Sequence, residues 1–167
     1  EVTDGATIDL TGAGKISINK LNGVSTISTN SGSISLNTVE SVVTLHSYSG
    51  NISVKNAMVT ISVTSNYGDV NVTFSDTAES YSENSNARVL HAKIYNGKLT
   101  ASGVEHVGSV TENSNNGIEV SGNGRVFLKM KNVLGSNEVR GKNGLISIVV
   151  EKSSIYTLTT SSNKGNV

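Results

Sequence analysis

The sequence predicts an all-β fold, a single-domain parallel β-solenoid of about 18 residues per turn that covers residues 1–167. The first supporting observation is a repeated phrase, in which a glycine is followed by aliphatic residues two and four positions later, at Gly14, Gly32, Gly50 and Gly68. The second is the alternation of apolar and polar residues within the phrase, which is typical of a strand with one buried face. The third is the composition, with 17 glycines but no proline and no cysteine. A fixed period of this size indicates stacked repeats.

Alignment of the repeats predicts two strands and two turns in each repeat. The first strand carries two inward columns: Ile16, Ile34, Ile52 and Val70, then Ile18, Leu36, Val54 and Val72. The second strand carries two more: Ser25, Val43, Ile61 and Leu90, then Ile27, Leu45, Val63 and Ala92. Leu21, Val39 and Ala57 lie between the strands, where they turn a corner. One repeat cannot bury its own inner face, so repeats stacked about 4.8 Å apart would align these columns into one core.

Glycine, proline and spacing add further expectations about the solenoid. The repeated glycine is expected at a turn because it takes positive φ without steric cost. The absence of proline agrees with strands that all donate N–H groups to their neighbours. The strand pattern predicts roughly eight turns, a stack of about 35–40 Å. A left-handed solenoid would show one aliphatic residue about every six positions, whereas this phrase occurs once per turn on unequal sides, so the right-handed form is favoured.

The regular register covers only part of the chain. Residues 1–13 are predicted to form a cap strand around Ile8 and Leu10, because a solenoid needs an atypical terminal repeat to cover its open edge. Regular turns follow over residues 14–72. A stretch rich in Ser, Asn and Glu then predicts an inserted loop over residues 73–94.

Less regular turns are predicted over residues 95–167. Residues 118–120 follow a glycine and are interpreted as the beginning of a new turn. Residues 117–143 are expected to depart from the repeat, with a hairpin or an expanded side over residues 126–133. The phrase then restarts at Gly144.

Composition and charge argue against several classes of function. With 13 basic and 13 acidic residues the net charge is zero, so the sequence lacks the basic face typical of nucleic-acid-binding proteins. No apolar run is long enough for membrane insertion. No secretion signal is visible, and we expect the chain to be a piece of a longer protein. Without cysteine, neither a disulfide nor a thiolate metal site can form.

The three histidines, His46, His91 and His106, are not spaced as metal ligands. By the predicted register His46 and His91 face outward on different turns, and no pair of carboxylates at ligand spacing lies beside them. All three are interpreted as surface residues. We therefore predict no metal ion, no cofactor and no catalytic residue.

An acidic cluster with a tyrosine is the nearest feature to a binding site. Four residues of the predicted inserted loop form this candidate contact loop: Asp76, Glu79, Tyr81 and Glu83. Calcium would need about six to eight oxygen ligands, and the Asp-x-Asp-x-Asn-Gly pattern is missing. A solvated polar loop is one interpretation. A contact surface on Tyr81, with Tyr67 and Tyr95 near the ends of the loop, is the other.

One stretch of the repeat resembles a known family. Residues 60–72, Thr-Ile-Ser-Val-Thr-Ser-Asn-Tyr-Gly-Asp-Val-Asn-Val, and their echo at residues 44–54 resemble the β-strand repeat of a bacterial adhesin family, a β-solenoid domain family of unknown function. The resemblance is best over residues 14–72 and looser beyond, with departures at residues 73–94 and 117–143. It implies a bacterial protein that is exported or held at the cell envelope, and it brings no catalytic motif.

Two main hypotheses of function follow, and a third possibility is an intracellular scaffold that assembles through the open end at Val167. The first is a non-enzymatic cell-envelope or extracellular surface module, an adhesin or a structural scaffold, that presents residues 73–94 and 117–143 to a glycan, to a protein, or through its ends to other copies. The alternative is a carbohydrate-active enzyme of the polysaccharide lyase or hydrolase type, which needs clustered carboxylates on one outward face. The outward columns are poor in acidic residues, so we predict no enzyme. Ice binding is discounted because the outward threonine column breaks at Ser62 and His91.

Overall fold

The computed structural model describes residues 1–76, 88–108, 110, 117–133, 135–151, 156–163 and 167. All regular secondary structure in these residues is β-strand, and the strands pair in parallel within two sheets. The predicted all-β class and parallel β-solenoid are therefore confirmed. The solenoid has about seven turns, with about 20 residues in each.

The chain alternates between the two sheets. The odd sheet contains, in order along the stack, β1 (Thr7–Leu10), β3 (Ser25–Thr29), β5 (Val43–Ser47), β7 (Ile61–Ser65), β9 (Leu90–Ile94), β11 (Ile118–Val120), β13 (Gly135–Gly141) and β15 (Tyr156–Ser162). The even sheet contains β2 (Lys15–Leu21), β4 (Ser33–Val39), β6 (Ile52–Ala57), β8 (Val70–Phe74), β10 (Lys98–Val104), β12 (Arg125–Lys131) and β14 (Ile146–Glu151). Because consecutive strands lie in different sheets, each pair of strands makes one turn around a shared core.

The predicted register of the first turns is confirmed. The even sheet pairs these residues one above another, 18 positions apart: Ile16, Ile34, Ile52 and Val70. The odd sheet pairs a predicted column in the same way: Ile27, Leu45 and Val63. The corner residues Leu21, Val39 and Ala57 are fully buried. Like aliphatic side chains therefore pack on one another along the stack, as a continuous core requires.

The repeated glycines lie where predicted, but the reason predicted for them is wrong. Gly32, Gly50 and Gly68 do not have positive φ, whereas Gly103 and Gly122 do. A Cβ built on Gly50 would overlap the carbonyl oxygen of Gly32, and one on Gly68 would overlap that of Gly50. Glycine is required here because the backbone of the preceding turn occupies the space of a side chain.

The first insertion is shorter than predicted. β8 continues to Phe74 and β9 begins at Leu90, so both ends of the predicted loop over residues 73–94 are strand. Residues 77–87 lie outside the described part of the chain. The insertion shifts the register, since Val70 of β8 pairs with Leu99 of β10, 29 positions later.

Residues 117–143 depart from the 18-residue spacing as predicted, but two predictions within them are wrong. Residues 118–120 form β11, which pairs with β9 in the odd sheet and does not begin a new turn. The predicted hairpin over residues 126–133 is β12, which lies between β10 and β14 in the even sheet. The glycine of its phrase is Gly124, followed by Val126 and Leu128 at the usual spacing. The phrase therefore continues in this part of the chain, with longer connections between its copies.

A buried ion pair lies where the register has changed. Arg88 and Glu105 are 3% and 0% exposed, and Arg88 Nη2 lies 2.8 Å from Glu105 Oε1. The backbone N–H of Glu105 also donates to the carbonyl of Arg88 at 3.0 Å. Nearby, the buried Asn137 accepts a hydrogen bond from the Val107 N–H at 2.9 Å. The buried charges of Arg88 and Glu105 thus lie against each other, and Asn137 satisfies a buried backbone N–H group.

Candidate functional site

The predicted contact loop is only partly described by the structure. Glu79, Tyr81 and Glu83 lie outside the described residues. Asp76 is exposed just after β8, and its Oδ1 lies 3.2 Å from Lys131 Nζ at the end of β12. A surface ion pair of this kind contributes about 0–1 kcal/mol to stability. The role of this loop as a contact surface stays a prediction.

In the regular part of the chain, the turns that lead from the odd to the even sheet share the pattern Ser/Thr-x-x-Gly. Three copies lie at Thr29–Gly32, Ser47–Gly50 and Ser65–Gly68. In the second copy the buried Ser47 Oγ accepts from the Gly50 N–H at 2.9 Å and donates to the Gly50 carbonyl at 2.6 Å. Because the hydroxyl holds the glycine end of the turn, the two middle residues are directed outward.

Three tyrosines occupy middle positions of turns from the odd to the even sheet, and we call Tyr48, Tyr67 and Tyr95 the tyrosine edge. Tyr48 and Tyr67 lie in Ser-x-x-Gly turns, and Tyr95 lies in the turn Ile94–Gly97. They follow β5, β7 and β9, so they lie on successive turns, and their exposed fractions are 52%, 57% and 58%. The Tyr67 N–H donates to the Tyr48 carbonyl at 2.9 Å. The rings of Tyr48 and Tyr67 meet edge to face with centroids 5.4 Å apart. Exposed aromatic rings are therefore held on an ordered backbone.

A shallow groove of about 330 Å³ runs beside the tyrosine edge on the outer face of the odd sheet. We call it the odd-sheet groove. Its lining residues are Asp9, Ser28, Thr29, Asn30, His46, Ser47, Tyr48, Thr64 and Asn66. Asp9, Ser28, His46 and Thr64 are register partners on β1, β3, β5 and β7. The groove therefore follows the axis of the stack across four consecutive strands.

The odd-sheet groove is lined mainly by hydroxyl and amide groups. Its one carboxylate is Asp9, whose Oδ1 accepts a hydrogen bond from Ser28 Oγ at 2.8 Å. Hydroxyl groups and side-chain amides both donate and accept hydrogen bonds. With Tyr48 at its side, the groove can combine a flat apolar contact with many neutral hydrogen bonds.

His91 is not the surface residue that the sequence predicts. It lies half-buried on β9, and its Nδ1 is 2.9 Å from the Val107 carbonyl oxygen, to which it donates. Burial lowers the pKa of His91, the hydrogen bond to Val107 opposes that effect, and the nearby His106 lowers the pKa further. Within the described residues no three His, Cys, Asp or Glu side chains are grouped as metal ligands would be.

A second groove, of about 230 Å³, lies at the corner beside β8, β10 and β12. Its charged residues form two pairs, Asp76 with Lys131 and Glu151 with Lys129, at 3.2 and 2.8 Å. The hydrogen bond to Glu151 raises the pKa of Lys129. Both carboxylates of this groove are therefore engaged by lysines.

A third groove, of about 420 Å³, lies at the far end of the stack. β14 and β15 are the last strands of their sheets, and Leu145, Ile148 and Leu158 line the groove between them. Val149 on β14 is 55% exposed. This end of the solenoid is thus more apolar than the odd-sheet groove.

The strand–glycine repeat of the first turns is similar to that of a known family. Residues 11–88 match the Toastrack DUF4097 family model. Toastrack is a β-solenoid domain of unknown function, and the matched stretch contains Tyr48, Tyr67 and nearly all of the odd-sheet groove. The match covers just under half of the chain, and the finer adhesin assignment stays a prediction. No curated protein and no solved structure matches the chain. No helix in the described residues has the length and hydropathy of a membrane span.

The sequence contains a signal for this surface that the predictions did not use. The Ser/Thr-x-x-Gly turns recur with the 18-residue period and carry Tyr48 and Tyr67 in middle positions, and Tyr95 stands two residues before the glycine of the next turn, Gly97. Thr29, Ser47 and Ser65 would each have been placed outward by a simple rule that polar residues face water. Their burial, at 5%, 4% and 1% exposure, shows that the hydroxyl belongs to the turn.

Proposed function

We propose that this domain is a non-enzymatic binding module of the bacterial cell envelope or cell surface. It holds its partner against the tyrosine edge and the odd-sheet groove, as an adhesin would. The observation that carries the proposal is the tyrosine edge, with three aromatic side chains more than half exposed on successive turns. Tyrosine combines an apolar ring with a polar hydroxyl, and it is enriched at interfaces.

The rigidity of this surface supports a binding role. The turns carrying Tyr48, Tyr67 and Tyr95 continue the parallel hydrogen-bond ladder beyond the strands. Binding of a partner would therefore require little further ordering of the backbone of this domain. A tyrosine ring also loses little conformational freedom on binding. The location at the envelope or surface is supported by the resemblance of the repeat to the bacterial adhesin family.

Retention of the domain by bacterial surfaces tests the proposal. The purified domain would be mixed with intact bacterial cells and with an insoluble cell-wall preparation, and the bound fraction measured after centrifugation. We expect the wild-type domain to be retained and the triple variant Tyr48→Ser, Tyr67→Ser, Tyr95→Ser to lose most of that retention. Tyr156→Ser is the matched control, because this tyrosine is 41% exposed on β15, away from the edge. No retention of the wild type, or equal retention of the triple variant, would reject the proposal.

A second candidate function is self-assembly as a structural scaffold. It is favoured by the groove lined by Leu145, Ile148 and Leu158 at the end of both sheets, because terminal strands can pair with another chain. Analytical ultracentrifugation over a wide concentration range tests it. Concentration-dependent oligomers that Leu158→Lys abolishes would support it, and a monomer at every concentration would reject it.

The enzymatic alternative, a polysaccharide lyase or hydrolase, has less support in the described residues. Glycoside hydrolysis uses a pair of carboxylates across the scissile bond, and the odd-sheet groove is lined by the single carboxylate of Asp9. The proposal therefore predicts no release of reducing ends or unsaturated products from bacterial or plant polysaccharides. Turnover that is lost in Asp9→Asn would favour the enzyme instead.

A further inference from the structure

The chemistry of the odd-sheet groove indicates which class of partner it would take. We infer that the tyrosine edge and the odd-sheet groove bind a neutral oligosaccharide that lies along the stack of β3, β5 and β7. This inference rests on the proposed binding function and narrows it to one class of ligand.

The lining of the groove suits a sugar better than a peptide. None of its lining residues is Leu, Ile, Val or Met, and most are Ser, Thr or Asn. A peptide partner is usually anchored by side chains in apolar pockets. Sugar hydroxyls instead need partners that both donate and accept, which the Asn30, Thr64 and Asn66 side chains provide.

The charge of the groove selects against acidic sugars. Asp9 is the one acidic residue of the lining, and no Lys or Arg lies among the lining residues. The first cation in the same outward column is Lys93, which pairs with Thr64 one turn beyond the groove. A uronate or a phosphate at the β1 end of the groove would therefore meet the carboxylate of Asp9, with His46 as the one basic side chain of the lining, and like-charge repulsion disfavours it there.

The repetition of the groove suits a polymer. Asp9, Ser28, His46 and Thr64 stand one above another on paired strands, so a polar side chain recurs about every 4.8 Å along the axis. Tyr48 and Tyr67 flank this column on successive turns. A pyranose ring presents its C–H face to an aromatic ring and its hydroxyls to the side, so a chain of sugars could contact several turns at once.

Calorimetric titration of the intact domain with defined hexasaccharides tests the inference. The neutral probes are β-1,4-linked glucose and β-1,4-linked N-acetylglucosamine hexamers, and the acidic probe is the galacturonate hexamer. We expect at least one neutral hexamer to bind about tenfold or more tightly than the acidic one, a difference of about 1.4 kcal/mol.

Variants assign the binding to this groove. Tyr48→Ser is expected to weaken binding of the neutral hexamer about tenfold, and Thr64→Val, which keeps the shape of the side chain, a few-fold. Thr100→Val is the matched control, a partly buried threonine on β10 of the even sheet. Thr64→Lys would place a cation in the groove and is expected to improve binding of the galacturonate hexamer. The amide resonances of each variant report whether it is folded.

The outcomes separate this inference from the proposed function. Preference for the galacturonate hexamer, or neutral binding unchanged by Tyr48→Ser, would overturn the inference. If no hexamer binds while cell walls retain the domain through the tyrosine edge, the ligand class is wrong and the binding function stands. If neither cell walls nor sugars are bound, both are rejected.

Discussion

The regular half of the solenoid, β1–β8, and the later half, β9–β15, are built from the same glycine–aliphatic phrase. They differ in the spacing between its copies and in the charge of their outward side chains. Register partners in the regular half are mostly 18 positions apart, and the outward column of the odd sheet begins with Asp9, Ser28, His46 and Thr64. In the later half, partners are up to 27 positions apart within the even sheet, and the same column continues with Lys93, Glu119 and Arg140. A strict period places the same position of every turn in one column, so a groove on the outer face can follow several turns.

The two halves also satisfy their buried polar groups in different ways. In the regular half, hydroxyls such as Ser47 bond the stacked glycines of the same turn. In the later half, the buried Asn137 accepts a hydrogen bond from the Val107 N–H, and the buried charges of Arg88 and Glu105 contact each other. Where the period is lost, buried polar groups are therefore satisfied by side chains from distant positions in the chain and no longer by a hydroxyl of the same turn.

The largest expected effect comes from the stacked glycines that define the regular half. Gly50→Ala places a methyl group on the carbonyl oxygen of Gly32. Because the backbone must shift to remove this overlap, we expect the free energy of unfolding to fall by about 4 kcal/mol, a large loss for a single substitution. Urea denaturation measures it. Gly12→Ala is the control, because nothing lies within 4 Å of its Cβ position. Equal stability of the two variants would contradict close backbone stacking.

The next effect concerns the ion pair of the later half. Glu105→Gln leaves the Arg88 guanidinium buried without its counter-charge, which should cost about 3 kcal/mol. The double variant Arg88→Met, Glu105→Leu should lose less, since it removes both charges together. Urea denaturation of both variants measures the coupling, and a double variant that is less stable than Glu105→Gln would refute this account of the corner.

A smaller effect is expected at the turn hydroxyls. Ser47→Ala removes both hydrogen bonds to the buried Gly50, so we expect a loss of about 2 kcal/mol. Ser49→Ala, in the same turn but exposed, should change stability by about 0.5 kcal/mol or less. If thermal unfolding shows the same change for both variants, the Ser47 hydroxyl does not hold the turn.

The smallest expected effect is a pH dependence of the stability, which comes from His91 in the later half. The pKa of His91 is lowered in the folded state, chiefly by burial, so the unfolded chain binds the proton more readily. Stability should therefore be complete above the ordinary histidine pKa of about 6.5 and fall as the pH decreases toward the lowered value. His91→Gln should flatten this part of the curve of stability against pH. Ser62 is the register neighbour of His91 on β7, and Ser62→Ala should leave the curve unchanged. An unchanged slope in His91→Gln would contradict the assignment.

Much of the fold could be predicted because two simple periods coincide in this sequence. Alternation along each strand identified the inward columns, and the 18-residue spacing aligned Ile34 with Ile52 and Leu45 with Val63. Where the connections between the strands lengthen, after β10, the glycine spacing no longer identified the correct strands. Gly117 stands next to Ile118 and imitates the phrase, whereas the true copy begins at Gly124.

The candidate site was harder to predict because it depends on backbone pairing. Tyr48, Tyr67 and Tyr95 are 19 and 28 positions apart, and an alignment on the glycines does not place all three in one column. Only the hydrogen bonds of the turns show that they share one edge. The burial of Thr29 and of His91 likewise depends on neighbouring turns, which a rule based on residue polarity does not contain.

The most direct test of this account is the footprint of a soluble bacterial cell-wall glycan on the backbone amides of the isotope-labelled domain, followed by NMR. We predict that the resonances that shift on titration belong to the turns at residues 29–32, 47–50 and 65–68 and to the neighbouring ends of β3, β5 and β7. Shifts confined to β14 and β15 at the end of the stack, or no shifts at saturating glycan, would contradict it.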